Sequence, residues 1–165
     1  MENCSLSSKG EAVFTKTFIA NNEQETIRLA ERFASIARNK DVFALYGTLG
    51  VGKSVFSRAF IQKLTQAEEV PSPTFTLVQN YSCGDVEIYH FDLYRLKTPE
   101  EVFELGFEEA IYNGISLIEW PEKAGYLLPK DIFKVNITIR DDKRIFEVTA
   151  FSPDKVSRLE KIDAD

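Results

Sequence analysis

Residues 47–54 read Gly-Thr-Leu-Gly-Val-Gly-Lys-Ser, and no other stretch limits the possible fold as tightly. The pattern G-x-x-x-x-G-K-[ST] works as a phosphate-binding loop only if a strand enters it and a helix leaves it. Both flanks comply. The apolar run Val42-Phe43-Ala44-Leu45-Tyr46 precedes the loop, and Phe56, Ala59, Phe60 and Leu64 follow Ser54 at helical spacing. Glycines let backbone N–H groups turn inward and approach phosphate oxygens. The start of the following helix adds unpaired N–H groups and a positive dipole end. Lys53 supplies a charge for the β- and γ-phosphates, and the Ser54 hydroxyl is short enough to ligate Mg²⁺. Thr48, Leu49, Gly50, Val51, Gly52, Lys53, Ser54 and Val55 are therefore the expected nucleotide-binding segment.

A chain of 165 residues suits one domain, 1–165, with a core over about 14–151 and peripheral ends. No apolar run approaches the length of a membrane span, and Met1-Glu2-Asn3-Cys4 begins no signal peptide. Cys4 and Cys83 have no metal-ligand spacing, which points to reduced thiols in a cytoplasmic protein. The net charge of −6 argues against a dedicated nucleic-acid binder, because neutralising phosphates needs a basic surface. Nucleotide and protein are the expected partners.

Along the chain, Val13 to Ala20 reads as a first strand, after a polar start over residues 1–10. Asn22, with Glu25 three residues on, caps a helix whose Ile27, Ala30, Phe33, Ala34 and Ala37 share one face. After the loop helix, Pro71 and Pro73 impose an extended path through Thr74. Phe75 to Tyr81 alternates toward a strand, Ser82-Cys83-Gly84-Asp85 is a turn, and Val86 to Phe91 returns. Thr98-Pro99-Glu100-Glu101 starts a helix, and Ile115 to Ile118 is a short buried strand. Ile132 to Ile139 and Arg144 to Phe151 form a closing hairpin around Arg140-Asp141-Asp142-Lys143, and a charged loose helix or tail follows Ser152. The expected fold class is α/β: a P-loop NTPase-like three-layer fold with a mixed parallel and antiparallel central sheet.

A phosphate loop also needs an acid at the end of a neighbouring strand. Asp92 and Glu119 both follow strands, where ligands of open α/β sheets gather. One would sit near the metal and the other orient the attacking water or sense the γ-phosphate. Thr74, in a proline-bounded loop, has the type and setting of a switch threonine. His90, inside an apolar strand, reads as a hydrogen-bonded core residue, and Trp120 as a packing anchor.

Together with the loop, Ser72-Pro73-Thr74-Phe75-Thr76-Leu77-Val78, His90-Phe91-Asp92-Leu93-Tyr94-Arg95-Leu96 and Leu117-Ile118-Glu119-Trp120 resemble the TsaE family. This is the bacterial ATPase component of tRNA threonylcarbamoyl-adenosine modification. The resemblance runs from about Phe14 to Phe151. It implies ATP and Mg²⁺ as cofactors and the proteins TsaD and TsaB as partners. Contact with tRNA would be made through that complex, with no membrane involved. By residue, it implies phosphate binding on Gly50, Gly52 and Lys53, and Mg²⁺ on Ser54 and Glu119. It puts a switch-like role on Thr74, a hydrolysis-linked one on Asp92, and the adenine near Asn22 to Thr26. The family usually carries Ala at Val51 and Thr at Ser54; serine keeps the hydroxyl.

A small-molecule P-loop kinase is the alternative, but a kinase usually carries a lid with arginines. Arg140, Arg144 and Arg158 form no arginine-rich helix, and none stands out as a built-in finger. A nucleotide-binding partner without turnover is disfavoured by the intact acids Asp92 and Glu119.

Overall fold

The structure is a computed structural model and describes residues 5–6, 12–48 and 50–163. The expectations for Cys4, for Leu49 and for most of the first ten residues lie outside it. Two nearly all-apolar runs, β3 (Val42–Tyr46) and β6 (Gly114–Glu119), pair in parallel at the centre of the sheet. Strands buried on both faces need no polar alternation, which is why they read as continuous apolar runs. β5 (Val86–Asp92) pairs in parallel with β6, and β7 (Phe133–Arg140) in parallel with β3. Antiparallel strands extend both sides: β4 (Val78–Cys83) on β5, then β8 (Lys143–Ala150) on β7 and β2 (Ala12–Ala20) on β8. The two residues of β1 (Ser5–Leu6) pair with β2, giving the order β1-β2-β8-β7-β3-β6-β5-β4. The mixed sheet is thus as expected.

Alternate side chains of β3 feed two cores. Phe43 and Leu45 face α1 (Glu23–Ile36) and α2 (Lys53–Thr65), where Phe33 packs edge-on to Phe18, Phe43 and Phe133 at 5.6–6.4 Å between centroids. Val42 and Ala44 face the opposite layer, built from 3-10 segments Pro99–Leu105 and Pro121–Leu127 and from α3 (Phe107–Asn113). These are the expected three layers.

Three local expectations are corrected. The strand foreseen at Phe75–Tyr81 runs instead over Val78–Cys83, because the Leu77 N–H turns back to the Pro73 carbonyl at 2.7 Å. Its hairpin turn shrinks accordingly to Gly84-Asp85. The helix begun at Thr98 is a 3-10 segment, broken by Gly106 at φ 75° before α3 starts.

The charged segment after Ser152 is no loose tail. It forms α4 (Pro153–Glu160), capped by the Ser152 hydroxyl accepting from Lys155 N–H, with Val156, Leu159 and the following Ile162 in the core of Phe33. Charge hides this helix in the sequence, because two of its cations point inward. Arg158 grips Asp41 with both nitrogens, Nη1 to Oδ2 at 2.6 Å and Nη2 to Oδ1 at 2.9 Å. Nη1 also donates to the Ile36 carbonyl at the end of α1. The pair is 6% and 3% exposed, so water cannot substitute for a missing partner. Arg158→Ala is expected to destabilise by about 3–5 kcal/mol in urea unfolding, as removal of one member of a buried pair does. Arg38→Ala, which breaks an exposed contact to Asp154, is expected to cost under about 1 kcal/mol.

Candidate nucleotide-binding site

The carboxyl ends of β3, β6 and β5 define the site. Leu45 lies level with Glu119, and Glu119 level with Asp92, so the two acids stand side by side next to the strand that enters the loop. The loop then turns through Gly47 at φ 148°; a Cβ there would sit 2.7 Å from Val51 Cγ1 and 2.9 Å from the Ile137 carbonyl. Only glycine lets the chain pass between these atoms. Gly52, at φ 115°, caps α2 and leaves the first N–H groups of that helix unpaired within it.

A pocket of about 510 Å³ opens at this edge. Of the expected site residues, Asn22, Gly50, Gly52, Lys53, Ser54, Val55, Thr74, Asp92 and Glu119 line it together. Thr48 and Val51 do not: Thr48 lines a separate groove behind the loop, and the Val51 side chain is buried in the core. Asn22 spends its Oδ1 on the cap of α1, accepting from Glu25 N–H at 2.9 Å.

The polar atoms of the site are already engaged with one another. Ser54 Oγ donates to Glu119 Oε1 at 3.3 Å, and His90 Nε2 lies 2.7 Å from Glu119 Oε2. Asp92 Oδ1 accepts from Tyr94 N–H at 3.1 Å, and Oδ2 accepts from Thr74 Oγ1 at 3.4 Å. Ser72 Oγ is 2.9 Å from Thr74 Oγ1. Lys53 Nζ donates to the Gly47 carbonyl and lies 3.5 Å from the centre of the Trp120 ring. Burial pulls the Lys53 ammonium below the usual lysine range, and Glu119, Glu122 and Asp92 pull it back up. His90 is the hydrogen-bonded core residue expected of it. Trp120 does more than pack, because it covers the loop lysine.

Among the described residues no group of three or more His, Cys, Asp or Glu could hold a metal by itself. Ser54 Oγ and Glu119 Oε1 are hard oxygen donors close enough to share a cation. Two protein oxygens, with waters and substrate phosphates completing the shell, suit Mg²⁺. The donor set fits that ion and not a soft transition metal.

Glu23 and Thr26, within the Asn22–Thr26 stretch expected near the adenine, line the pocket too, and so do Arg144 and Asp142, which no sequence motif marked. A Cβ on Gly52 would come within 3.8 Å of Arg144 Nε, so the guanidinium hangs over the mouth of the loop. No local signal marks Arg144: its hairpin falls on the ligand edge because β7 runs parallel to β3, a pairing that only the structure gives. Arg158, by contrast, is locked against Asp41 and reaches no ligand edge.

A family model described as "Threonylcarbamoyl adenosine biosynthesis protein TsaE" matches residues 20–146. The chain is similar to proteins named tRNA threonylcarbamoyladenosine biosynthesis protein TsaE. In Rickettsia bellii the identity is 44% over 133 residues, covering 79% of this chain and 92% of the relative. In Haemophilus influenzae it is 38% over 135 residues, covering 78% and 85%. A crystal structure of YdiB from Bacillus subtilis superposes with a TM-score of 0.74 at 28% identity, covering 91% of this chain and 95% of that one.

A phosphate group arriving at Lys53 competes with the Trp120 ring for the same ammonium. Titration with a nucleoside triphosphate is therefore expected to change the emission of Trp120, the one tryptophan of the chain. The change should vanish in Lys53→Met, as fluorescence titration can check.

Proposed function

The chain belongs to the TsaE family of threonylcarbamoyl adenosine biosynthesis, and on that premise we propose that it is a Mg²⁺-dependent, slowly hydrolysing ATP switch. It would act in the cytoplasm with TsaD and TsaB in modifying the adenosine beside the tRNA anticodon. The observation that carries this reading is the convergence of Lys53, Ser54, Glu119 and Asp92 at the amino end of α2.

In this reading the N–H groups opening α2 and the Lys53 ammonium hold the β- and γ-phosphates. Ser54 and Glu119 would hold Mg²⁺, whose charge would offset that on the phosphate oxygens. Asp92 orients a water in line with the γ-phosphorus. The water oxygen would bond to phosphorus as the bond from γ-phosphorus to the β,γ-bridging oxygen breaks and a water proton passes to a phosphate oxygen, giving ADP and phosphate. Asn22, Glu23 and Thr26, at the start of α1, line the same pocket and would meet the nucleoside.

Slow turnover by the isolated chain follows from Thr74 and Asp92 being bonded to each other. To meet a γ-phosphate, Thr74 must leave that contact, and a partner that reshapes its loop would speed hydrolysis. Phe75, on the same loop, is 81% exposed with the Arg95 guanidinium over its ring, a surface such a partner could grip.

Lys53→Ala is expected to weaken ATP and ADP binding in calorimetry by at least about tenfold, about 1.4 kcal/mol, with the fold intact. Unchanged affinity for both nucleotides would sink the assignment. Steady-state phosphate release should rise at least about tenfold with TsaD and TsaB present, roughly 1.4 kcal/mol off the barrier. Thr74→Ala should remove much of that gain and spare ADP affinity. Fast turnover alone, or transfer of phosphate to a small acceptor, would instead indicate a kinase.

A further inference from the structure

His90 sits on β5 two residues before Asp92, with its ring and the Glu119 carboxylate both buried. Nε2 lies 2.7 Å from Glu119 Oε2, while Nδ1 is buried and meets no partner among the described residues. For packing alone an apolar ring would serve better, since a histidine here leaves one polar atom unsatisfied. Its single polar contact is what distinguishes it from such a ring. A carboxylate only accepts, so that contact requires the hydrogen on Nε2. The donor engages Oε2 alone, and the other oxygen, Oε1, is left facing Ser54 Oγ. The two oxygens of Glu119 are thereby made unequal.

We propose that His90 is a positioning residue that makes Glu119 a one-oxygen ligand, through Oε1, and so favours Mg²⁺ over Ca²⁺. This rests on the reading of Ser54 and Glu119 as the protein ligands of the cation. Mg²⁺ demands a tight octahedron, whereas Ca²⁺ takes about six to eight oxygens and readily accepts both oxygens of one carboxylate. With one lone pair of Oε2 already taken by Nε2–H, two-oxygen ligation must share that oxygen and compete with a buried hydrogen bond. Outer bonds of this kind orient a ligand and tune its affinity.

Two substitutions separate this role from a structural one. His90→Gln carries an amide N–H about as far out as Nε2, whereas His90→Asn is polar but too short to reach Glu119. The full chain is titrated with ADP by calorimetry at rising Mg²⁺, at rising Ca²⁺ and with neither, and thermal unfolding reports the fold. In His90→Asn the Mg²⁺ midpoint is expected to rise about tenfold. Its Ca²⁺ midpoint should move less, and metal-free ADP affinity should stay put. His90→Gln should keep the wild-type Mg²⁺ midpoint within about threefold. Equal Mg²⁺ midpoints in the two variants, equal shifts for Mg²⁺ and Ca²⁺, or a matching fall in metal-free affinity would each overturn the proposal. A wild-type chain whose ADP affinity ignores Mg²⁺ would overturn the reading of Ser54 and Glu119 as well.

Discussion

The parallel register of β3, β6 and β5 governs everything at the ligand edge. Hydrogen bonding between β3 and β6 sets Leu45 level with Glu119, and between β6 and β5 sets Glu119 level with Asp92. A one-residue slip would turn Glu119 away from α2 to the opposite face of the sheet and bring Ile118 to its place. That slip is opposed by the packing of Ile115 and Leu117 into one core and Ile118 into the other, positions a slip would exchange. The positions of the acids are thus fixed by greasy neighbours and not by the acids themselves.

This explains how a site can hold three acidic groups and still form. Asp92 and Glu119 are buried, and Glu122 acts on the same lysine from nearby. Repulsion among them is offset locally: Lys53 shares the field, His90 donates to one carboxylate, and backbone N–H and Thr74 donate to the other. Each interaction also points an oxygen in a definite direction, so the elements that make burial tolerable are those that aim the chemistry. Trp120, at φ 59°, completes the wall by laying its ring on Lys53 and against Tyr94 at 4.8 Å.

Much of this was legible in the sequence where a single local rule decided the outcome. The glycine loop, the capped start of α1 at Asn22 and the buried strand ending in Glu119 each announce themselves within a few residues. What was not legible depends on contacts far apart in the chain. Nothing local says that Arg158 turns inward, because its partner Asp41 is 117 residues away. The early start expected for the strand after Thr74 failed for a local reason instead. Phe75 and Leu77 alternate as a strand should, but Pro73 and the positive φ of Leu77 bend the chain first. Arg140 and Arg144 read from the sequence only as two arginines across a hairpin turn; the topology that sends that hairpin to the loop appears only once β7 is known to lie beside β3.

The pairing of β2 with β8 has a consequence for how this chain is made. Thr15 and Thr149 share a hydrogen bond although they stand 134 residues apart. As the polypeptide emerges during synthesis, β2 is among the first segments out, yet its long neighbour comes after nearly all the others. Until then Phe14 and Phe18 have no sheet to complete. An element that waits so long with two aromatic side chains uncovered invites misassembly and chaperone attention. Closing so distant a pair is also slow relative to local helix formation. The nucleotide edge, with Arg144 opposite Ala20 on that last-formed seam, would mature at the end of folding and not at its start.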